Sequence, residues 1–128
     1  MKILNLLVAF LLCTQFLFAQ KSYAVFQQGF YANENENWIE KSTVPTNNLF
    51  ISVEKEKISI SGNESKNYHI EGDIKKTNVG DVVVGCFSAH DDNDKKLLVF
   101  LTTQPGSNYY IFSVIDDDRR TDYHFDDK

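Results

Sequence analysis

The chain has 128 residues and a formal net charge of −5, from 18 acidic against 13 basic side chains. That length suits one domain. The acidic balance argues against nucleic acid and anionic membrane surfaces as partners, because both recruit basic faces.

Residues 1–19 read as a secretory signal peptide outside the folded domain. Lys2 supplies the positive start, Ile3 to Phe18 is largely apolar, and Ala19 precedes the polar Gln20. Cleavage is expected after Ala19, although Leu17 is larger than the usual residue two positions before it. The segment is too short for a spanning helix and is interrupted by Asn5, Thr14 and Gln15. Cys13 does not read as a lipid-attachment cysteine, since the bulky Leu12 precedes it. The expectation is export to a periplasmic or extracellular location, with no stable membrane insertion after cleavage. Loss of Lys2 leaves twelve basic and eighteen acidic residues, a net charge of −6. Cys86 is then the one remaining thiol, so no intramolecular disulfide can form. Its neighbours Val84, Phe87 and Ala89 suggest burial.

From Lys21 to Tyr31 the chain reads as a strand, with Tyr23, Val25 and Gln27 on one face and a bend or bulge at Gly29. Asn33 to Asn37 is turn-like, and Trp38-Ile39-Glu40 suggests a short strand or one helical turn. Leu49 to Ser61 is the clearest hairpin. A turn at Lys55-Glu56 sets Glu54 opposite Lys57, Val53 opposite Ile58, Ser52 opposite Ser59 and Ile51 opposite Ile60. A one-residue slip would set Ile against Ser, so the register is well specified. The turn from Ser61 to Asn67 leads into Tyr68-His69-Ile70-Glu71, expected to pair Ile60 with Tyr68 and Ile58 with Ile70. Gly72 to Gly80 reads as a short polar connection.

Three apolar runs follow, Val82–Phe87, Leu97–Leu101 and Tyr109–Ile115, separated by the turn formers Asp91–Asp94 and Gln104–Asn108. No part of the mature chain carries helical apolar spacing over three turns. The expected fold is all-β, a small antiparallel meander of about seven to eight strands closing into a barrel or sandwich. Residues 20–115 form the domain, and the acidic segment 116–128 is either a closing strand or a frayed tail. In that segment Tyr123 and Phe125 share a face.

The chemistry is sparse. Cys86, Ser88 and His90 share a strand face but stand roughly 7 Å apart at the ~3.3 Å rise per residue, too far for a nucleophile and its base. Asp91, Asp92 and Asp94 are weak metal candidates, because a calcium loop lacks its sixth-position Gly and twelfth-position Glu in either register. His69, His90 and His124 have no zinc spacing. Asn63-Glu64-Ser65 matches the glycosylation sequon, a pattern of low specificity. Among the aromatics Tyr23, Phe26, Phe30, Tyr31 and Trp38, a surface near Tyr31 and Trp38 suits a protein or glycan. Alternatively, Ile51, Val53, Ile58, Ile60, Tyr68 and Ile70 would line an internal cavity for a small apolar ligand. The sequence thus suggests a monomeric, non-enzymatic binding module without a cofactor. A secreted contact inhibitor or protective protein comes second, and a carboxylate-based hydrolase third.

Overall fold

The computed structural model describes residues 21–54 and 56–127, and the expected signal peptide lies outside them. Nine strands run in chain order: β1 (Lys21–Glu34), β2 (Asn37–Pro45), β3 (Leu49–Val53), β4 (Lys57–Gly62), β5 (Lys66–Val79), β6 (Val82–His90), β7 (Lys96–Thr103), β8 (Tyr109–Asp116) and β9 (Arg119–Asp126). From β3 to β9 each strand pairs antiparallel with the next, β3 also pairs with β1, and β1 pairs with β9. Eight strands therefore close a barrel, and no helix occurs among the described residues. The ninth, β2, continues the edge of β1 where β3 stops. β3 holds Lys21 to Ala24, and β2 holds Gln27 to Glu34.

The β3–β4 hairpin has the register that its sequence specifies, Val53 with Ile58 and Ile51 with Ile60. Its closing end carries the Glu54–Lys57 ion pair at 3.2 Å. The next pairing differs from expectation: Ile60 faces Lys66 and Ile58 faces Tyr68. That is a shift of two residues, which leaves the inward face unchanged because strand side chains alternate with period two. The cause is the tight β4–β5 turn, whose Glu64 folds inward to accept bonds from Gln28 Nε2 (2.8 Å) and the Tyr123 hydroxyl (3.1 Å). Gly62 adopts φ 96° there, and a Cβ would collide with the Asn48 carbonyl.

A bulge in β1 between Val25 and Gln27 turns the alternation over. Val25 is buried, and beyond the bulge Gln28 takes the inward position while Tyr31 faces out. The polar connection expected after Gly72 is instead the second half of β5. It pairs with β6 up to Val79–Val82 after a bulge between Glu71 and Lys75. The C-terminal segment is the closing strand β9, with Tyr123 and Phe125 fully buried.

The barrel is filled through its waist. Phe112, Tyr123 and Phe125 are at 0% exposure. Phe112 and Tyr123 lie 6.2 Å apart, and Phe112 and Phe125 pack against Tyr68, Tyr110 and Tyr23 at centroid distances from 5.4 to 5.9 Å. Ile51, Ile60, Val25 and Val99 fill the gaps between them. An eight-stranded barrel is just wide enough for side chains to occupy its axis, and these rings do so. Burial of these aromatics adds a large apolar driving force to a fold that has no disulfide among the described residues.

Candidate functional site

The inward positions change character at one end of the barrel. On β9 the inward series is Phe125, Tyr123, Thr121, Arg119, and on β8 it is Tyr110, Phe112, Val114, Asp116. On β5, Tyr68 is followed outward by Lys66. Aromatic and aliphatic groups thus give way to charged ones within two to four residues on three strands. The result is a cleft of about 400 Å³ at the barrel mouth. Its floor is Tyr68, Leu97 and Val114, and its walls carry Lys66, Asn67, Asp91, Asp92, Asn93, Asp116, Arg119 and Thr121.

Hydrogen bonds hold much of this wall. The Asp91 carboxylate accepts from the backbone N–H groups of Asn93 (2.8 Å) and Lys95 (2.9 Å), fixing the β6–β7 turn. Asp92 accepts from Asn67 Nδ2 (2.9 Å) and His69 Nε2 (2.9 Å). Those two hydrogen bonds, His69 first, hold its carboxyl below the usual carboxylate range. Lys95 bridges Asp116 and Asp117 across the rim, which raises its own pKa. Beneath the rim, Glu64 joins Gln28, Tyr123 and, at 3.5 Å, Lys66. Burial pushes the Tyr68 hydroxyl up to about 12 and the Tyr123 hydroxyl higher still.

The three acidic metal candidates are not brought together. Asp91 caps its own turn, Asp92 is tied to β5, and Asp94 occupies a left-handed turn position (φ 63°). No group of three or more His, Cys, Asp or Glu converges among the described residues. His69 and His90 face each other across β5 and β6 on the outer wall, their rings stacked at 5.0 Å, with His90 Nδ1 2.7 Å from Glu71. Cys86 also faces outward, half-buried between Lys75 and Phe100, rather than into the core. Gly85 and Phe87 take the inward positions beside it.

The cavity-lining candidates lie in the core. Ile51, Val53, Ile58, Ile60 and Tyr68 are buried, and Ile70 packs against them. Ile51, Ile58, Ile60 and Tyr68 share one core cluster with Phe112, Tyr123 and Phe125, and of the six only Tyr68 reaches the mouth. Tyr31 and Trp38 lie on the outer wall either side of Arg120, whose guanidinium sits 3.9 Å from the Tyr31 ring centre and 5.5 Å from that of Trp38. Gly29 makes room for this arrangement, since a Cβ there would approach the Tyr31 ring to 3.1 Å. Arg120 also reaches the buried Asp122. Its Nη2 donates at 3.3 Å, and its Nε lies 3.0 Å from Oδ1 outside hydrogen-bonding geometry, an electrostatic contact. Further along, Phe26 packs edge-on against Tyr109 at 5.6 Å, and the Tyr109 hydroxyl bonds His124 Nδ1.

Lys66, Asn67, Asn93, Asp116, Arg119 and Thr121 were not singled out by the sequence. One signal was present: Arg119 and Thr121 precede Tyr123 and Phe125 on the same alternation, so a closing strand would aim them at the barrel axis. No family model, curated protein or solved structure matches the chain.

Proposed function

We propose that this is an exported binding protein whose barrel mouth receives a small polar ligand. The observation carrying this reading is the contrast along the barrel axis: the waist is occupied by its own aromatic rings, and a cleft of about 400 Å³ opens above them. Small-molecule sites commonly fall between roughly 300 and 1,000 Å³ and favour the mouths of β-barrels. The mixed polar wall favours a polar ligand over the apolar one suggested by the strand pattern alone. Tyr31 and Trp38 support recognition less well, because Arg120 already engages both rings.

A hydrolytic role fits poorly. Paired-carboxylate chemistry needs an acid and a base converging on one bond, whereas Asp91 is held by its own turn amides and Asp92 by Asn67 and His69. A contact role has one specific feature in its favour, Val79, which is 63% exposed at the tip of the β5–β6 hairpin.

Native mass spectrometry of the purified protein tests the mouth directly, alongside a Thr121→Trp variant that fills it. The expected result is a bound small molecule that the variant loses while keeping its β-sheet circular dichroism. A ligand retained by the folded variant would place binding elsewhere, with Val79→Asp as the next substitution to make.

A further inference from the structure

The charges at the mouth narrow the kind of ligand, on the premise that the mouth is the binding site. Three carboxylates and two cations line it, and most are engaged by the protein itself. Asp92 uses both oxygens on Asn67 and His69. Asp91 uses Oδ1 on two turn amides, and Asp116 uses Oδ1 on Lys95. Lys66 pairs with Glu64. Arg119 differs from all of these. It stands opposite Asp116 in the β8–β9 register, yet Asp116 is drawn to Lys95, and the Arg119 guanidinium has no hydrogen bond or ion pair with any described residue.

A guanidinium without a partner, aimed into a cleft, offers a planar fork of donors matched to a carboxylate. The second oxygens of Asp91 and Asp116 are the complementary acceptors on the same wall. A polyanion would meet repulsion from the three rim carboxylates. The floor of Tyr68, Leu97 and Val114 suits an aliphatic group.

We infer that the mouth takes a small amphoteric carboxylate of the amino-acid type. The ligand carboxylate lies on Arg119, its ammonium faces Asp91 and Asp116, and its apolar side chain rests on Tyr68, Leu97 and Val114. Binding is non-covalent and weakens with salt, because Arg119 is exposed to solvent.

The test is calorimetric titration of the purified protein at low ionic strength with three probes: L-leucine, leucinamide, which lacks the carboxylate, and 4-methylpentanoate, which lacks the ammonium. Saturable leucine binding is expected, with both analogues at least about tenfold weaker and Arg119→Gln reducing leucine affinity by a similar factor, as for loss of a charge-assisted pair. Arg119 is exposed, so this variant should keep the parent melting temperature. Leucinamide binding as tightly as leucine, or an unchanged Arg119→Gln, overturns the carboxylate anchor. Equal binding of 4-methylpentanoate overturns the amphoteric class. If leucine does not bind but Thr121→Trp displaces a different co-purified molecule, the ligand class is wrong and the mouth stands. If Thr121→Trp displaces nothing, the mouth itself is wrong. Asn93→Trp, on the exposed turn, replaces that variant should it fail to fold.

Discussion

The waist and the mouth of this barrel are built from the same alternating positions of the same strands, yet they differ in almost every physical respect. Around Phe112, Tyr123 and Phe125 the inward side chains are large, aromatic and fully buried. Two to four residues further along β8 and β9 the inward side chains are Asp116, Thr121 and Arg119, around an open cleft. A closed sheet fixes which residues face its axis, and the identity of those residues then decides whether a given level is core or site. Stability and, on the proposed reading, recognition are thereby divided along one axis of a single domain.

That division is broken most severely from the waist side. Phe112→Ala should cost about 3–5 kcal/mol, the usual penalty for truncating a fully buried aromatic, read from the midpoint of urea unfolding. A loss below about 1 kcal/mol would mean that the waist is loosely packed and able to admit a ligand.

The layer between the two regions gives an intermediate effect. Glu64→Ala removes the acceptor for the buried Gln28 amide and Tyr123 hydroxyl. Leaving such donors unsatisfied should cost about 1–3 kcal/mol. Glu64→Gln, which keeps an acceptor oxygen, should recover part of that loss in the same unfolding experiment.

Two titrations sharpen the contrast further. Burial raises Tyr68 to about 12 in the folded protein, above the ordinary value of 10.0. The neutral phenol is therefore favoured on folding, so this contribution to stability is complete below pH 10 and is lost as pH rises towards 12. Ultraviolet titration near 295 nm should show Tyr68 and Tyr123 ionising last, together with unfolding. His124 behaves oppositely: burial holds its pKa below the ordinary 6.5. Its neutral form is favoured on folding, so its contribution is complete above that value and declines as pH falls through the folded pKa. His124→Gln should flatten the acid limb of the melting-temperature profile below pH 6.5 and leave the limb above it unchanged.

The smallest effect is expected at the mouth. Arg119→Gln and Asn93→Ala should change unfolding free energy by no more than about 0.5 kcal/mol, as for most exposed substitutions. A larger loss would make the cleft wall part of the stabilising core.

Much of the architecture was legible in the sequence where neighbouring strands inform each other. Opposing Ile51–Ile60 and Val53–Ile58 specified the β3–β4 register because any odd slip would bury serine. The β4–β5 register was not readable, because the Glu64 contacts that tighten its turn come from β1 and β9, far away in sequence. The β1 bulge was hidden for a similar reason. A continuous alternation from Tyr23 gave Gln27 the inward position, and only the pairing with β9 shows where the extra residue sits. Cys86 was misread because apolar neighbours occur on both faces of β6, so local composition does not separate inside from outside. At the mouth, Asp91, Asp92 and Tyr68 stood out as an acidic turn and an apolar strand position. Arg119 did not, since its orientation depends on the C-terminal segment closing the barrel.

Amide chemical-shift mapping by NMR discriminates most directly between mouth, waist and outer wall, using whichever small molecule the purified protein binds. The shifts should concentrate at Asn67, Asp92, Asn93, Arg119 and Thr121 while the waist residues stay in place. Shifts centred on Tyr31, Trp38 and Arg120, or a general reorganisation of Phe112, Tyr123 and Phe125, would contradict binding at an open mouth above a solid core.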